Sequence, residues 1–135
     1  VSQWIKNSPA SSRVKFHGGL APNKSWQFAK GAWVGLTLLE PTPAFIEAVP
    51  SKLYEYSFAG LAVISSPLPR CVDLINQSGG GAIVQSDEAA ASILNSWAQN
   101  QDALLNMRRK SKIWATQTLN PDAHYLHFSE EVAKL

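Results

Sequence analysis

Residues 41–67, PTPAFIEAVPSKLYEYSFAGLAVISSP, contain the elements that decide the fold. Pro50 at the first helical position and Gly60 just beyond the last one predict a helix over Pro50–Ala59. The run LAVIS that follows, Leu61–Ser65, is almost continuously apolar, which is typical of a strand buried on both faces. A helix that leads into such a strand predicts a βα unit and a parallel sheet.

The same pattern continues in both directions along the chain. Upstream, Ala32–Leu39 predicts a second buried strand, and Val14–His17 predicts a short strand ended by a glycine turn. Downstream, Gly79–Gly81 lacks the GK[ST] of a phosphate loop and reads as a plain turn into a strand at Ala82–Val84. Helices are predicted over residues 1–8, 23–30, 69–76, 87–97, 102–114 and 120–132.

This alternation predicts an α/β protein, a Rossmann-like three-layer α/β/α fold with a short parallel sheet of about four strands. Parallel sheets of this kind bind ligands at the carboxyl ends of their strands. The loops expected at that edge are residues 18–23, 40–50, 65–70 and 85–88.

The composition narrows the class of protein. The 135 residues, 45% of them apolar, suffice for one domain with a real core. A net charge of +2 is too weak to argue for nucleic acid and fits a phosphorylated ligand. The lone Cys71 excludes an internal disulfide and a cysteine metal site, and it favours a reducing compartment, so we expect a cytoplasmic protein.

A basic run, Arg108-Arg109-Lys110-x-Lys112, lies on a predicted helix. Its usual meaning is a solvated helix face. The alternative is peripheral contact with the anionic inner surface of a membrane. No run of about 18 apolar residues is present to span one.

Two carboxylates in residues 41–67 suggest a binding site. Glu47 lies in the proline-rich loop, and Glu55 lies in the helix that begins at Pro50. The first amides of that helix have no partner within it and its dipole is positive there, so a diphosphate is well placed at this end, with Lys52 nearby. Glu55 can then accept hydrogen bonds from a ribose. The alternatives are two solvated carboxylates, or the acid and nucleophile of a glycosidase.

Glu47-x7-Glu55 resembles the E-x7-E signature of retaining glycosyltransferases, and residues 50–64, PSKLYEYSFAGLAVI, resemble the P-x-K-L-x-E-Y-x3-G-x-P-V-I pattern of family 4 of the GT-B fold. Ala62 stands where that pattern has Pro. Residues 14–18, VKFHG, are similar to the family's V-x-F-x-G strand and turn, and Asp87 with its alanine-rich helix is similar to a further family stretch. The resemblance covers about residues 12–115.

The resemblance implies retaining transfer from a nucleotide-sugar, such as a UDP- or GDP-sugar, to a glycan or lipid-linked acceptor. Glu47 would be the catalytic residue at the donor sugar, and Glu55 would hold the ribose. The backbone of Val49, Pro50, Ser51, Lys52 and Leu53 would cradle the diphosphate, and the turn Gly18, Gly19, Leu20 would lie against the base. The resemblance implies no metal and no other cofactor.

Two elements of such an enzyme are not seen, namely the first strands of the donor domain and the whole acceptor domain. The chain begins Val1-Ser2 without Met, so we expect residues 1–135 to be a single partial domain, with a C-terminal helix at 116–135. It would need an N-terminal acceptor domain or a partner chain, and an exposed strand edge would allow a homodimer. The alternative is a non-catalytic nucleotide-sugar-binding or dimerising module.

Overall fold

The computed structural model describes residues 2–119 and consists of six helices and three strands over that range. The helices are α1 (Ser2–Asn7), α2 (Pro22–Gly31), α3 (Ser51–Ala59), α4 (Pro69–Ser78), α5 (Asp87–Gln99) and α6 (Gln101–Thr118). The strands are β1 (Val34–Thr37), β2 (Ala62–Ser65) and β3 (Gly81–Ile83), and a single 3-10 turn spans Ser11–Arg13.

The three strands form one parallel sheet in the order β1-β2-β3. Val34 pairs with Ala62, and Val63 pairs with Gly81. Every residue of the central strand β2 is buried, as its unbroken apolar run predicts. The α/β class and the Rossmann-like alternation of strands and helices are therefore confirmed.

The core has two halves, one on each face of the sheet. On one face, Val63 packs with Leu53 of α3 and with Cys71 and Ile75 of α4. On the other, Ala62 and Ile64 pack with buried residues that include Trp97 of α5 and Leu104 of α6. Because successive side chains of a strand point to opposite faces, β2 supplies both halves.

Helix α6 passes the amino ends of β2 and β3. Arg108 donates from Nε to the carbonyl of Gly60, just before β2, at 2.9 Å. Ser111 lies against Gly80, just before β3, where a Cβ would come within 2.5 Å of the Ser111 Cβ. Trp114 stacks on Tyr54 of α3 with ring centroids 6.5 Å apart. Helix α6 therefore lies at the amino-terminal edge of the sheet, where it contacts the residues that precede β2 and β3.

The predicted fourth strand, Val14–His17, is wrong, and the sheet has three strands within residues 2–119. Val14 has the extended conformation of a strand, with φ −109° and ψ 125°. The segment is nevertheless exposed and pairs with no strand, neither with β1 nor with any other described one. An extended backbone becomes a strand only when a neighbour takes its hydrogen bonds. The predicted helix at 120–132 lies outside the described residues.

Candidate functional site

The amino end of α3 is open. Pro50 is its N-cap and offers no side-chain hydrogen bond to the first turn. Ser51 and Lys52 are exposed, whereas Leu53 is buried in the core. Of the five residues predicted to cradle a diphosphate, Pro50 has no N–H, and Leu53 donates its own to the Pro50 carbonyl at 2.9 Å. The amides of Val49, Ser51 and Lys52 remain for an anion.

Glu55 lies one turn into α3 and its carboxylate is held from two sides. Ser51 donates from Oγ to Oε1 at 3.2 Å, and Lys52 donates from Nζ to Oε2 at 2.8 Å. The hydrogen bond from Lys52, then that from Ser51, lowers the pKa of Glu55, and the bond to Glu55 raises the pKa of Lys52. At neutral pH the site is therefore an oriented carboxylate beside an ammonium group.

Glu55 and Lys52 line a pocket of about 370 Å³ between α2, β1 and α3, which we call the α2–α3 pocket. Its walls carry the aromatic side chains of Trp26 and Phe28 from α2 and of Tyr56 from α3. The Tyr56 ring lies directly on Gly35 of β1, where no side chain intervenes. The pocket combines apolar walls with a charged pair, a composition typical of small-molecule sites.

Glu47 lies elsewhere, in the loop before α3. Its side chain is 73% exposed, and Arg70 in the first turn of α4 donates from Nε to its Oε2 at 3.5 Å. Glu47 does not line the α2–α3 pocket. The contact ties the loop that follows β1 to the helix that follows β2.

The turn Gly18, Gly19, Leu20 is exposed and lies outside the lining of the pocket. Among residues 2–119, nothing beyond the immediate chain neighbours lies within 4 Å of the Cβ position at Gly18 or Gly19. His17 of this segment contacts the pocket wall, and its ring centroid is 4.2 Å from that of Phe28.

Three of the four predicted ligand loops meet at the carboxyl edge of the sheet. A second pocket of about 370 Å³ is lined there by Glu40 and Pro41 after β1, by Ser66 and Pro67 after β2, and by Gln85, Ser86 and Asp87 after β3. The oxygen of Ser86 accepts the N–H of Ala89 at 3.2 Å, so the first turn of α5 is already capped.

The basic run on α6 is more than a solvated face. Arg108 donates to Gly60, as described above, and its guanidinium lies 4.9 Å from the ring centre of Trp33. Lys112 donates from Nζ to the carbonyl of Phe58. Both cations thus lie at the negative end of the α3 dipole, which stabilises that helix.

Sequence reasoning missed several residues of the site. Arg70 could have been found, since it ends the loop 65–70 that the sequence places at the carboxyl edge of the sheet. Trp26 and Tyr56 gave no signal, because an aromatic side chain on an amphipathic helix is usually part of the core.

Comparisons of the chain with protein-family models, with curated proteins and with solved structures find no match. Within residues 2–119, no group of three or more His, Cys, Asp or Glu side chains is arranged to hold a metal ion. Over the same range no helix has both the length and the apolar character needed to cross a membrane.

Proposed function

We propose that this chain binds the nucleoside diphosphate part of a nucleotide-sugar, as the donor-binding part of a retaining glycosyltransferase of the GT-B, family 4-like type. One observation carries the proposal: Glu55 is ionised, oriented and half-buried at the rim of a ligand-sized pocket, one turn from an open helix terminus. The resemblance of residues 50–64 to the family pattern supports the same assignment.

The carboxylate of Glu55 suits a vicinal diol. An ionised carboxylate has about four lone-pair sites and accepts without donating. Ser51 and Lys52 occupy one site on each oxygen. One site on each oxygen is left, which is what two neighbouring ribose hydroxyls require. The Glu55 side chain is 35% exposed, so a ligand can reach it.

The diphosphate would lie at the amino end of α3. The amides of Ser51 and Lys52 point along the positive end of the helix dipole, and the N-cap residue Pro50 offers them no side-chain hydrogen bond. The Lys52 side chain is 57% exposed, so its ammonium can approach a phosphate without crossing the core. The Lys52 ammonium has three N–H donors, so it can keep its bond to Glu55 and, with the fixed amides, neutralise the leaving diphosphate during transfer.

Glu47 and Arg70 would face the donor sugar. Their exposure, 73% and 60%, leaves that side of the site open to water. A transfer site must exclude water. We therefore propose that the acceptor side is supplied by another domain or another chain. The exposure of Glu47 also favours the second candidate, a nucleotide-sugar-binding module that does no chemistry by itself.

Calorimetric titration with UDP and GDP tests the binding proposal. Glu55→Gln keeps the size of the side chain and removes its charge. We therefore expect the binding free energy for UDP and GDP to become less favourable by about 1.5–3 kcal/mol, the value of a hydrogen bond to a charged group. Glu88→Gln, on the exposed first turn of α5, is the matched control and should leave binding unchanged. Equal affinities for Glu55→Gln and wild type would remove the ribose role.

A sugar-transfer and donor-hydrolysis assay separates the two candidates. For a donor-binding part we expect tight binding of the nucleotide-sugar without turnover until an acceptor domain is added. Glu47→Gln should weaken the binding of the nucleotide-sugar and leave the affinity for the bare nucleotide unchanged. Turnover by the chain alone would contradict the need for a partner.

A further inference from the structure

Glu47 and Arg70 meet across the carboxyl edge of the sheet, although 23 positions separate them in sequence. Resting on the proposed function, in which Glu47 contacts the donor sugar, we propose that Arg70 is the positioning residue that holds the Glu47 carboxylate toward that sugar. Arg70 donates from Nε to Oε2 of Glu47 at 3.5 Å. None of the family motifs described above includes residue 70.

The loop that carries Glu47, residues 40–50, has no buried residue. Its turn is closed by the N–H groups of Phe45, Ile46 and Ala48, each of which donates to a carbonyl of the same loop. Local bonds of this kind set the shape of a turn, but a segment with few buried contacts opens at little cost. Glu47 therefore needs a partner outside the loop if its carboxylate is to keep one direction.

Arg70 lies in the first turn of α4, which is anchored in the core. Leu68 and Cys71, on either side of it, have 0% exposure and pack with Val63 of the central strand. The N–H of Val72 donates to the Leu68 carbonyl at 2.9 Å and closes the first turn. A side chain on such a packed element can position a partner from a looser one. The direction of the effect is therefore from Arg70 to Glu47.

The contact should matter for the donor sugar and little for folding. Both side chains are exposed, and an exposed ion pair contributes little to the free energy of folding. We therefore expect removal of the Arg70 guanidinium to leave the thermal midpoint almost unchanged. Its effect should be seen in the affinity for the part of the ligand that Glu47 contacts.

Calorimetric titration of the full chain tests the role of Arg70, with UDP-glucose and GDP-mannose compared with UDP and GDP. Arg70→Met should weaken the binding of the nucleotide-sugar about two- to fivefold, the scale of an exposed ion pair, and leave the bare nucleotide unchanged. Arg70→Lys keeps the charge and should recover part of the loss. Arg109→Met is the control, since Arg109 is exposed and donates to Asn106 of its own helix.

Two results of this titration would overturn the positioning role. Equal affinities of Arg70→Met and wild type for the nucleotide-sugar would show that the contact does no work in binding. Weaker binding of bare UDP or GDP by Arg70→Met would show that Arg70 contacts the diphosphate directly and does not act through Glu47.

A double-mutant cycle shows whether Arg70 acts through Glu47. Glu47→Ala removes the carboxylate, so in that background Arg70→Met should cause no further loss of nucleotide-sugar affinity. Losses that add in the double variant would mean that Arg70 acts on the ligand independently, which contradicts the positioning role.

Hydrogen exchange in the ligand-free chain separates failure of this role from failure of the proposed function. The amides of Phe45, Ile46 and Ala48 should exchange faster in Arg70→Met than in wild type, because the loop has lost its contact with α4. Equal exchange would overturn the anchoring of the loop, even where nucleotide binding depends on Glu55. Faster exchange without Glu55-dependent binding would instead overturn the proposed function, and with it the sugar toward which Glu47 is held.

Discussion

The phenol ring of Tyr56 occupies the space into which a side chain at Gly35 would extend. A Cβ at Gly35 would lie 2.2 Å from Cδ2 and 2.4 Å from Cγ of that ring, far inside van der Waals contact. A residue without a side chain therefore lets α3 lie close to β1. The same contact fixes one wall of the α2–α3 pocket.

Gly35→Ala should destabilise the fold, because the Tyr56 ring or the whole of α3 must move. We expect a loss of about 1–3 kcal/mol, the usual cost of overpacking, measured by urea denaturation. Gly31→Ala is the control, since no residue of the described range 2–119, apart from its own helix backbone and neighbours, lies within 4 Å of its Cβ position. In the background Tyr56→Ala, the added penalty of Gly35→Ala should largely vanish, and a penalty that persisted there would contradict the steric cause.

Gly79 and Gly80, which precede β3, should differ in their tolerance of alanine. Gly79 has φ +56°, so Gly79→Ala should cost about 1 kcal/mol for a left-handed backbone. At Gly80 a Cβ would lie 2.6 Å from the Cα of Ser111, so Gly80→Ala must displace α6 and should cost more, about 2–3 kcal/mol. Denaturation midpoints of the two variants show which loses more stability. A larger loss for Gly79→Ala would mean that α6 can shift away from Gly80 at little cost.

Arg108→Met should destabilise the chain by about 1.5–3 kcal/mol, because it removes a charged hydrogen bond to the Gly60 carbonyl and the contact with Trp33. Arg109→Met is a matched control on the same helix. Arg109 is exposed and donates to Asn106, one turn earlier, so its loss should stay within about 0.5 kcal/mol. Equal effects of the two substitutions on the thermal midpoint would exclude a special role for Arg108.

The pair of Lys52 and Glu55 sets a pH window. In the folded protein the pKa of Glu55 is lowered below its ordinary value of 4.5. The contribution of the ionised Glu55 to folding stability is therefore complete above pH 4.5 and is lost as the pH falls through the folded pKa. The pKa of Lys52 is raised above its ordinary value of 10.5. The contribution of the charged Lys52 to folding stability is therefore complete below pH 10.5 and is lost as the pH rises through the folded pKa. Nucleotide affinity should therefore be flat with respect to this pair from about pH 5 to about pH 10.

Lys52→Met should move the pKa of Glu55 upward toward its ordinary value, because the largest cause of the shift is removed. The Glu55 carboxyl resonance, followed by NMR from neutral to acid pH, measures this directly. Ser51→Ala should give a smaller shift in the same direction. A Glu55 titration that does not respond to Lys52→Met would mean that the ion pair does not form in solution.

Local chemistry made much of the fold predictable. Gly60 ends α3 as predicted, Pro50 is the N-cap, one residue before the helix begins, and the apolar run around Val63 forms the buried central strand. The partners of Glu55 were also within reach, because residues three and four apart meet on a helix. Each of these inferences needs only the backbone period and the nearest neighbours in sequence.

Contacts over long separations were not predictable. Val14 has the extended backbone that its sequence favours, yet no strand forms, since pairing depends on a neighbour and not on propensity. Arg108 reaches a carbonyl 48 residues away, which a run of basic residues does not reveal. The α2–α3 pocket escaped notice for the same reason, because it requires knowing that α2 lies beside α3 and the edge of β1.

The hydrogen bonds of Arg108 and Lys112 to the carbonyls of Gly60 and Phe58, at the carboxyl end of α3, have a practical consequence. A shortened version ending with α5 would retain every residue proposed to touch the nucleotide. It would lose Arg108 and Lys112, which bind carbonyls at the carboxyl end of α3. That helix carries the proposed binding residues Ser51, Lys52 and Glu55. Efforts to define a minimal fragment should therefore keep the chain at least to residue 118.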